Sequence, residues 1–144
     1  MEITIRVIVE KDYLALLPLW KNELGNRLVN AENIVHHYDR IKNDERYKTF
    51  VASADDKIVG FVSSVQSYGV GLEIGFMHIT ALAVQKENQN KGIGTKLLKH
   101  MEDYAKAKGI HSIILKCSVN STDAHAFYQR NGYAKDAWCF DKCL

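Results

Sequence analysis

Proline is nearly missing from this sequence: Pro18 is the only one in 144 residues. No glycine- or serine-rich stretch accompanies it, so no linker is marked and one domain over residues 1–144 is expected. Cysteine is scarce as well. Cys117, Cys139 and Cys143 are an odd set without a Cys-x-x-Cys pair, which argues against a disulfide framework and against a metal site. No apolar run approaches the roughly 20 residues that cross a bilayer. Met1 to Glu10 alternates apolar and polar residues and lacks the apolar stretch of a signal peptide. A cytoplasmic location with no membrane partner is therefore expected. Charge of one sign is also lacking: 19 basic and 17 acidic residues leave a net +2. That balance carries no broad footprint for nucleic acid, although a small basic pocket for a phosphate-bearing ligand remains compatible with it.

What is present is strong periodicity. Ile3, Ile5, Val7 and Val9 alternate with polar residues and predict a strand. Asp12 is placed to cap a helix running to Leu24, with Pro18 kinking or delaying it. Asn30 to Arg46 carries Ile34, Val35, Tyr38 and Ile41 at helical spacing. Thr49–Ala54 and Ile58–Tyr68 predict strands joined by the turn Ala54-Asp55-Asp56-Lys57. Glu73 to Val84 is apolar almost throughout and suits a central strand buried on both faces. A helix from about Gly94 to Lys108 follows, stopped by Gly109. Ser112–Val119 predicts another strand, Thr122–Arg130 a short helix ended by Asn131-Gly132, and Tyr133–Leu144 a last strand. The order implies a mixed sheet flanked by helices, with a parallel crossover through the Gly94 helix.

Gln89-Asn90-Lys91-Gly92-Ile93-Gly94-Thr95 lies between a strand and a helix. Glycines let backbone approach a ligand, and the first N–H groups of a helix face an anion at the favourable dipole end. Lys91 adds a cation and Thr95 a hydroxyl, so a pyrophosphate is a natural guest. The plainer reading is a helix entry whose glycines only relieve crowding. A Walker A loop does not fit, because Lys91 precedes Gly92. Nor does the dinucleotide fingerprint, because Leu97 stands where the third glycine belongs.

Leu82-Ala83-Val84, a short loop, Gln89-x-x-Gly92-x-Gly94 and an amphipathic helix together resemble the acetyl-coenzyme A motif of the GNAT N-acetyltransferase superfamily. Further on, Asn120, Ala124, Phe127-Tyr128 and Gly132-Tyr133 are similar to that family's later motif. Asn120 lies one residue further from Ala124 than the family pattern has it, with Ser121 in the matching place. The resemblance implies a mixed α/β fold with a mostly antiparallel sheet of about six to seven strands and about four helices. Its central parallel strands would splay apart. It also implies an N-acetyltransferase that uses acetyl-coenzyme A as co-substrate.

By the same resemblance, backbone groups of Leu82, Ala83 and Val84 would pair with the pantetheine arm, and the Val84 amide would face the oxyanion. Amides from Gln89 through Asn90, Lys91, Gly92, Ile93 and Gly94 to Thr95 would hold the pyrophosphate. Asn120 would bond the pantetheine, and Phe127 would lay an edge against the cofactor. Tyr128 matches the family's general acid for the departing thiolate, against the plainer reading of a core aromatic. For the general base, His78 lies eleven residues before Gln89, with Glu73 as runner-up; a satisfied structural histidine on a buried strand is the competing reading. The acceptor expected is a primary amine of a small molecule. A non-catalytic acyl-coenzyme A binding module and a protein or peptide N-acetyltransferase are the alternatives. Trp138 and Phe140 would suit either core packing or a homodimer interface.

Overall fold

Alternation at the start of the chain becomes the edge strand β1 (Thr4–Val7), antiparallel to β2 (Tyr47–Ala54). β2 pairs with β3 (Lys57–Gly69) and β3 with β4 (Leu72–Val84), both antiparallel. β4 then pairs in parallel with β5 (Ile113–Ile114). These features come from a computed structural model that describes residues 1–144. The five strands lie in sequence order, β1-β2-β3-β4-β5. The mixed, mostly antiparallel fold is as expected, with five strands instead of six or seven. The parallel pair stands at one edge of this sheet, not at its centre. The chain divides into two units, residues 1–114 and residues 115–144.

In the first unit the β2–β3 turn forms as expected. Asp55 and Asp56 both adopt positive φ, 50° and 61°. That conformation matches the twist of a two-residue hairpin, and aspartate tolerates it better than most residues. The helix expected from Asp12 to Leu24 forms as one helical run of changing pitch, a 3-10 piece Glu10–Leu16, the α-helical residues Leu17 and Pro18, and a single π turn Leu19–Glu23. Asp12 does not cap from outside but lies within the first piece. Its buried carboxylate accepts the Val9 amide at 2.9 Å and both Nη groups of Arg6 at 2.6 and 2.9 Å. Arg6 is the first cause holding this carboxyl below its ordinary value, and the Val9 amide acts in the same direction against burial. Helix α1 (Ala31–Ile41) starts at a reciprocal cap in which Asn30 and Asn33 each accept the other's amide at 2.8 Å.

Apolar faces of these segments cover one side of the sheet. Tyr13, Leu16, Leu19, Ile34 and Tyr38 pack there with Val51, Phe61, Ala81 and Ala83. Trp20 reaches the same layer, its indole N–H donating to the Tyr38 hydroxyl at 3.2 Å. Helix α2 (Ile93–Ala107) covers the other side through Leu97, Leu98 and Met101, all fully buried. It ends where Gly109 turns at φ 83°, with Ile110 N–H on the Ala105 carbonyl and Gly109 N–H on the Lys106 carbonyl. That is a Schellman cap, as the glycine predicts. β4 is not buried on both faces throughout, because its burial alternates along the strand. Of the strand expected over Ser112–Val119, only Ile113–Ile114 pairs.

The second unit holds one helix, α3 (Thr122–Arg130). The strand expected over Tyr133–Leu144 does not form. That segment contains no valine, isoleucine or threonine to favour a pleated chain. Trp138 and Phe140 are not core residues here, being 76% and 92% exposed. No helix of either unit is long and apolar enough to cross a membrane.

The Arg6–Asp12 cluster generates a prediction. Asp12→Ala removes a buried charged acceptor of three hydrogen bonds and lowers unfolding free energy by about 2–3 kcal/mol in urea titration. Because the folded carboxyl titrates below its unfolded value, its contribution is full above the unfolded pKa. It fades as pH falls through the lower folded value. The gap between wild type and variant therefore narrows in acid.

Candidate functional site

The site begins with a one-residue irregularity in β4. Ser63 of β3 stands opposite Ala81, and its neighbour Ser64 stands opposite Ile79. Thr80 is thus an extra residue, a bulge, with its hydroxyl donating to the Ser63 carbonyl at 3.2 Å. Residues directly opposite share a face. Ser64 donates to the Met101 sulfur on α2 at 3.4 Å, so Ile79 faces α2. Ala81 packs instead with Tyr13 and Tyr38 on the other side. The bulge has switched the faces.

Backbone direction switches with them. Before the bulge, the Met77 amide points away from β3, donating to the Ser112 carbonyl at 3.0 Å. After it, the Gln85 amide points toward β3, donating to the Val59 carbonyl at 2.7 Å. Amides alternate along a strand. Counting back from Gln85, Ala83 and Ala81 point into the sheet, while Val84 and Leu82 point away from β3. β5 pairs only with Met77 and His78, so no strand of this unit occupies the edge beside Leu82 and Val84. Two backbone amides and their carbonyls are thereby presented at the rim of the sheet.

The turn that follows lies against this rim. After the 3-10 turn Lys86–Asn88, the Gln89 side chain donates through Nε2 to the Val84 carbonyl at 2.9 Å. It also donates to the Glu23 carboxylate at 3.0 Å. Asn90 and Gly92 have positive φ, 61° and 81°. Gly92 is the N-cap of α2 and has no side chain to cap the helix. The first intrahelical bond runs from the Lys96 amide to the Gly92 carbonyl at 3.0 Å. The amides of Ile93, Gly94 and Thr95 precede it at the positive end of the dipole. Open space surrounds Gly92 on the side a Cβ would occupy. Lys91 and Thr95 are exposed beside it. These groups fit a pyrophosphate, and the Leu82–Val84 rim fits an amide-bearing arm joined to it.

His78 is half-buried and pairs with Val65 and Ile114. Being the neighbour of Met77 and Ile79, it faces the Tyr38 side of the sheet. It precedes Leu82 by four residues, roughly 13 Å of strand before the bulge shortens it. Glu73 is exposed at the far end of β4, against Tyr68 and Leu72. Nine residues separate it from Leu82, roughly 30 Å of extended chain. Glu73 therefore lies farther from the rim along β4 than His78 does.

In the second unit, the spacing of Tyr128, Gly132 and Tyr133 has a physical basis. Gly132 turns at φ 89°. The Tyr133 amide donates to the Tyr128 carbonyl at 3.0 Å and the Gly132 amide to the Gln129 carbonyl at 3.1 Å. This is a Schellman cap, and its usual apolar contact is the Tyr128–Tyr133 ring pair at 5.7 Å. Phe127 packs edge-on to Tyr128 at 5.1 Å. Burial, with a smaller part from Cys117, pushes the Tyr128 phenol up to about 12. Burial pushes the Cys117 thiol up as well. Asn120 is exposed in the turn before α3, where the Ser121 amide bonds the Ser118 carbonyl at 3.0 Å.

Sequence reasoning missed the bulge and Glu23. Neither glycine nor proline marks Thr80, and Glu23 lies more than sixty residues from the loop it touches.

Residues 14–133 match the acetyltransferase (GNAT) family, and the chain belongs to that family. An uncharacterized N-acetyltransferase of Methanocaldococcus jannaschii is 38% identical over 85 residues, 58% of this chain. The chain spans about half, 51%, of that relative's length. The aminoalkylphosphonate N-acetyltransferase of Salmonella typhimurium is 27% identical over 139 residues, covering 92% of this chain and 82% of its own. Among solved structures, an aminoglycoside acetyltransferase from a soil metagenome, in complex with sisomicin, shares the fold. Its TM-score is 0.87 at 22% identity, over 99% of this chain and 96% of that one.

Gly92→Glu sets a bulky carboxylate on a left-handed position within the anion turn. Strain at positive φ and repulsion act together. Calorimetric titration of this variant with coenzyme A is expected to show affinity reduced about tenfold or more, since each 1.4 kcal/mol is a factor of ten.

Proposed function

We propose that this chain is an acetyl-coenzyme A-dependent N-acetyltransferase whose acceptor is a primary amine of a small molecule, attacked directly in a ternary complex. The observation that carries this reading is the pair of amides, Leu82 and Val84, turned off the sheet beside the Gly92 turn. Bound acetyl-coenzyme A would supply an activated thioester. Holding it beside the amine gives much of the rate by proximity alone.

The chain's own groups divide the remaining work. Carbonyls and amides of Leu82 and Val84 hold the pantetheine arm as an added strand would be held. The Val84 amide donates to oxygen where negative charge develops. Amides from Gln89 to Thr95, with Lys91, hold the pyrophosphate. His78, on the Tyr38 face of the sheet, takes the amine's proton, through water given its distance from the rim. Tyr128 gives its proton to the leaving sulfur, and Asn120 and Phe127 hold the arm. The small-molecule acceptor is supported by the Salmonella relative, named for aminoalkylphosphonates and matched along most of both chains.

Both units act as one transferase domain over residues 1–144 in this reading, supported by a family match that runs from 14 to 133. A cytoplasmic location accords with three unpaired cysteines. A homodimer accords with the exposed Trp138 and Phe140.

Tyr128→Phe tests the reading. Thiol release from acetyl-coenzyme A is followed with a panel of small amines and a panel of peptides. With the accepted amine, kcat is expected to fall about 100-fold, the scale of a general acid, while coenzyme A affinity holds. With the phenol at about 12, the wild-type rate shows no alkaline loss from Tyr128 up to pH 10. Equal kcat in the two proteins would contradict the acid role. Binding without thiol release would favour a non-catalytic module, and turnover of peptides alone would move the acceptor class.

A further inference from the structure

Glu23 is the last residue of the π turn, in the segment between β1 and α1. Both its carboxylate oxygens are engaged with the loop after β4. Oε1 accepts the Lys86 amide at 3.2 Å, and Oε2 accepts Gln89 Nε2 at 3.0 Å. The same Nε2 donates its second hydrogen to the Val84 carbonyl at 2.9 Å. Gln89 is thus a bridge from Glu23 to the exposed rim of β4. The π turn makes the reach: it keeps Trp20 inward, with its ring 5.5 Å from Phe61, while Glu23 leaves the core.

On charge alone, Glu23 is misplaced. A carboxylate beside a turn suited to phosphates repels them, although salt largely screens that repulsion beyond about 8–10 Å. Its two donors give the opposite effect: they fix the start of the turn and the direction of the Val84 peptide. The second effect acts through direct contacts of 2.9–3.2 Å and is the one that shapes the rim and the turn.

We propose that Glu23 is a positioning residue for the coenzyme site, acting through Gln89 on the Val84 peptide and on the turn that leads to Gly92. This rests on the coenzyme reading of that turn. It also makes the segment before α1 part of the coenzyme site, although no residue of that segment touches the ligand in the proposed mechanism.

Calorimetric titration with coenzyme A, on wild type, Glu23→Ala, Gln89→Ala and the double variant, tests it. Two lost hydrogen bonds predict that Glu23→Ala raises Kd about tenfold. In the Gln89→Ala background the same change is expected to raise Kd no more than about threefold, because only the Lys86 contact remains. Thermal midpoints are recorded for all four, and an affinity loss without a matching loss of stability separates positioning from general unfolding. If Glu23→Ala does not fold, Glu23→Gln decides, with about a threefold loss expected. Unchanged or tighter binding in the Glu23 variants, or the same factor in both backgrounds, overturns the proposal. Wild-type protein that does not bind coenzyme A at all refutes the coenzyme reading itself, a different failure.

Discussion

One extra residue in β4 is the constraint on which the site depends. A strand has period two, so an insertion reverses the faces and the hydrogen-bond direction of everything after it. Without Thr80 as a bulge, the amides of Leu82 and Val84 would point into β3 and be consumed by the sheet. With it, they leave the sheet, and Ala81 and Ala83 turn toward the Tyr38 layer. Their small size suits that layer, where Tyr13, Tyr38 and Phe61 supply the bulk. The packing of the core and the exposure of the rim are two results of one irregularity.

Neutral groups carry most of the proposed binding. Backbone amides at the rim, at the Gly92 turn and in the first turn of α2 provide donors without a large net charge, in accord with the protein's balance of 19 basic and 17 acidic residues. Glycine serves where φ is positive and space must stay open. The same economy shapes α3: the Schellman cap at Gly132 ends the helix and sets Tyr133 against Tyr128. A spacing that looks like a chemical signature is in part a way of finishing a helix.

Much of this was legible in the sequence, for identifiable reasons. Helix α2, its Gly109 stop, the Asp55-Asp56 turn and the Gln89–Thr95 turn rest on local chemistry, which spacing reveals. Tertiary and long-range effects were hidden. The alternation of Ile79, Thr80 and Ala81 gives no sign of a bulge, because all three are ordinary strand residues. Glu23 reads as one of many surface carboxylates until the fold brings it to Lys86 and Gln89. Sequence counts residues, whereas an extended strand turns the nine positions from Glu73 to Leu82 into roughly 30 Å. The last strand failed for a local reason, its lack of β-branched residues, which aromatic Trp138 and Phe140 concealed.

Amide hydrogen exchange along β4, measured by NMR with and without acetyl-coenzyme A, tests the central claim most directly. The account predicts that Ala81 and Ala83 are protected in the free protein while Leu82 and Val84 exchange fast. It further predicts that acetyl-coenzyme A slows Leu82 and Val84 selectively. Equal protection of all four amides in the free protein, or no change at Leu82 and Val84 when the coenzyme is bound, would contradict it.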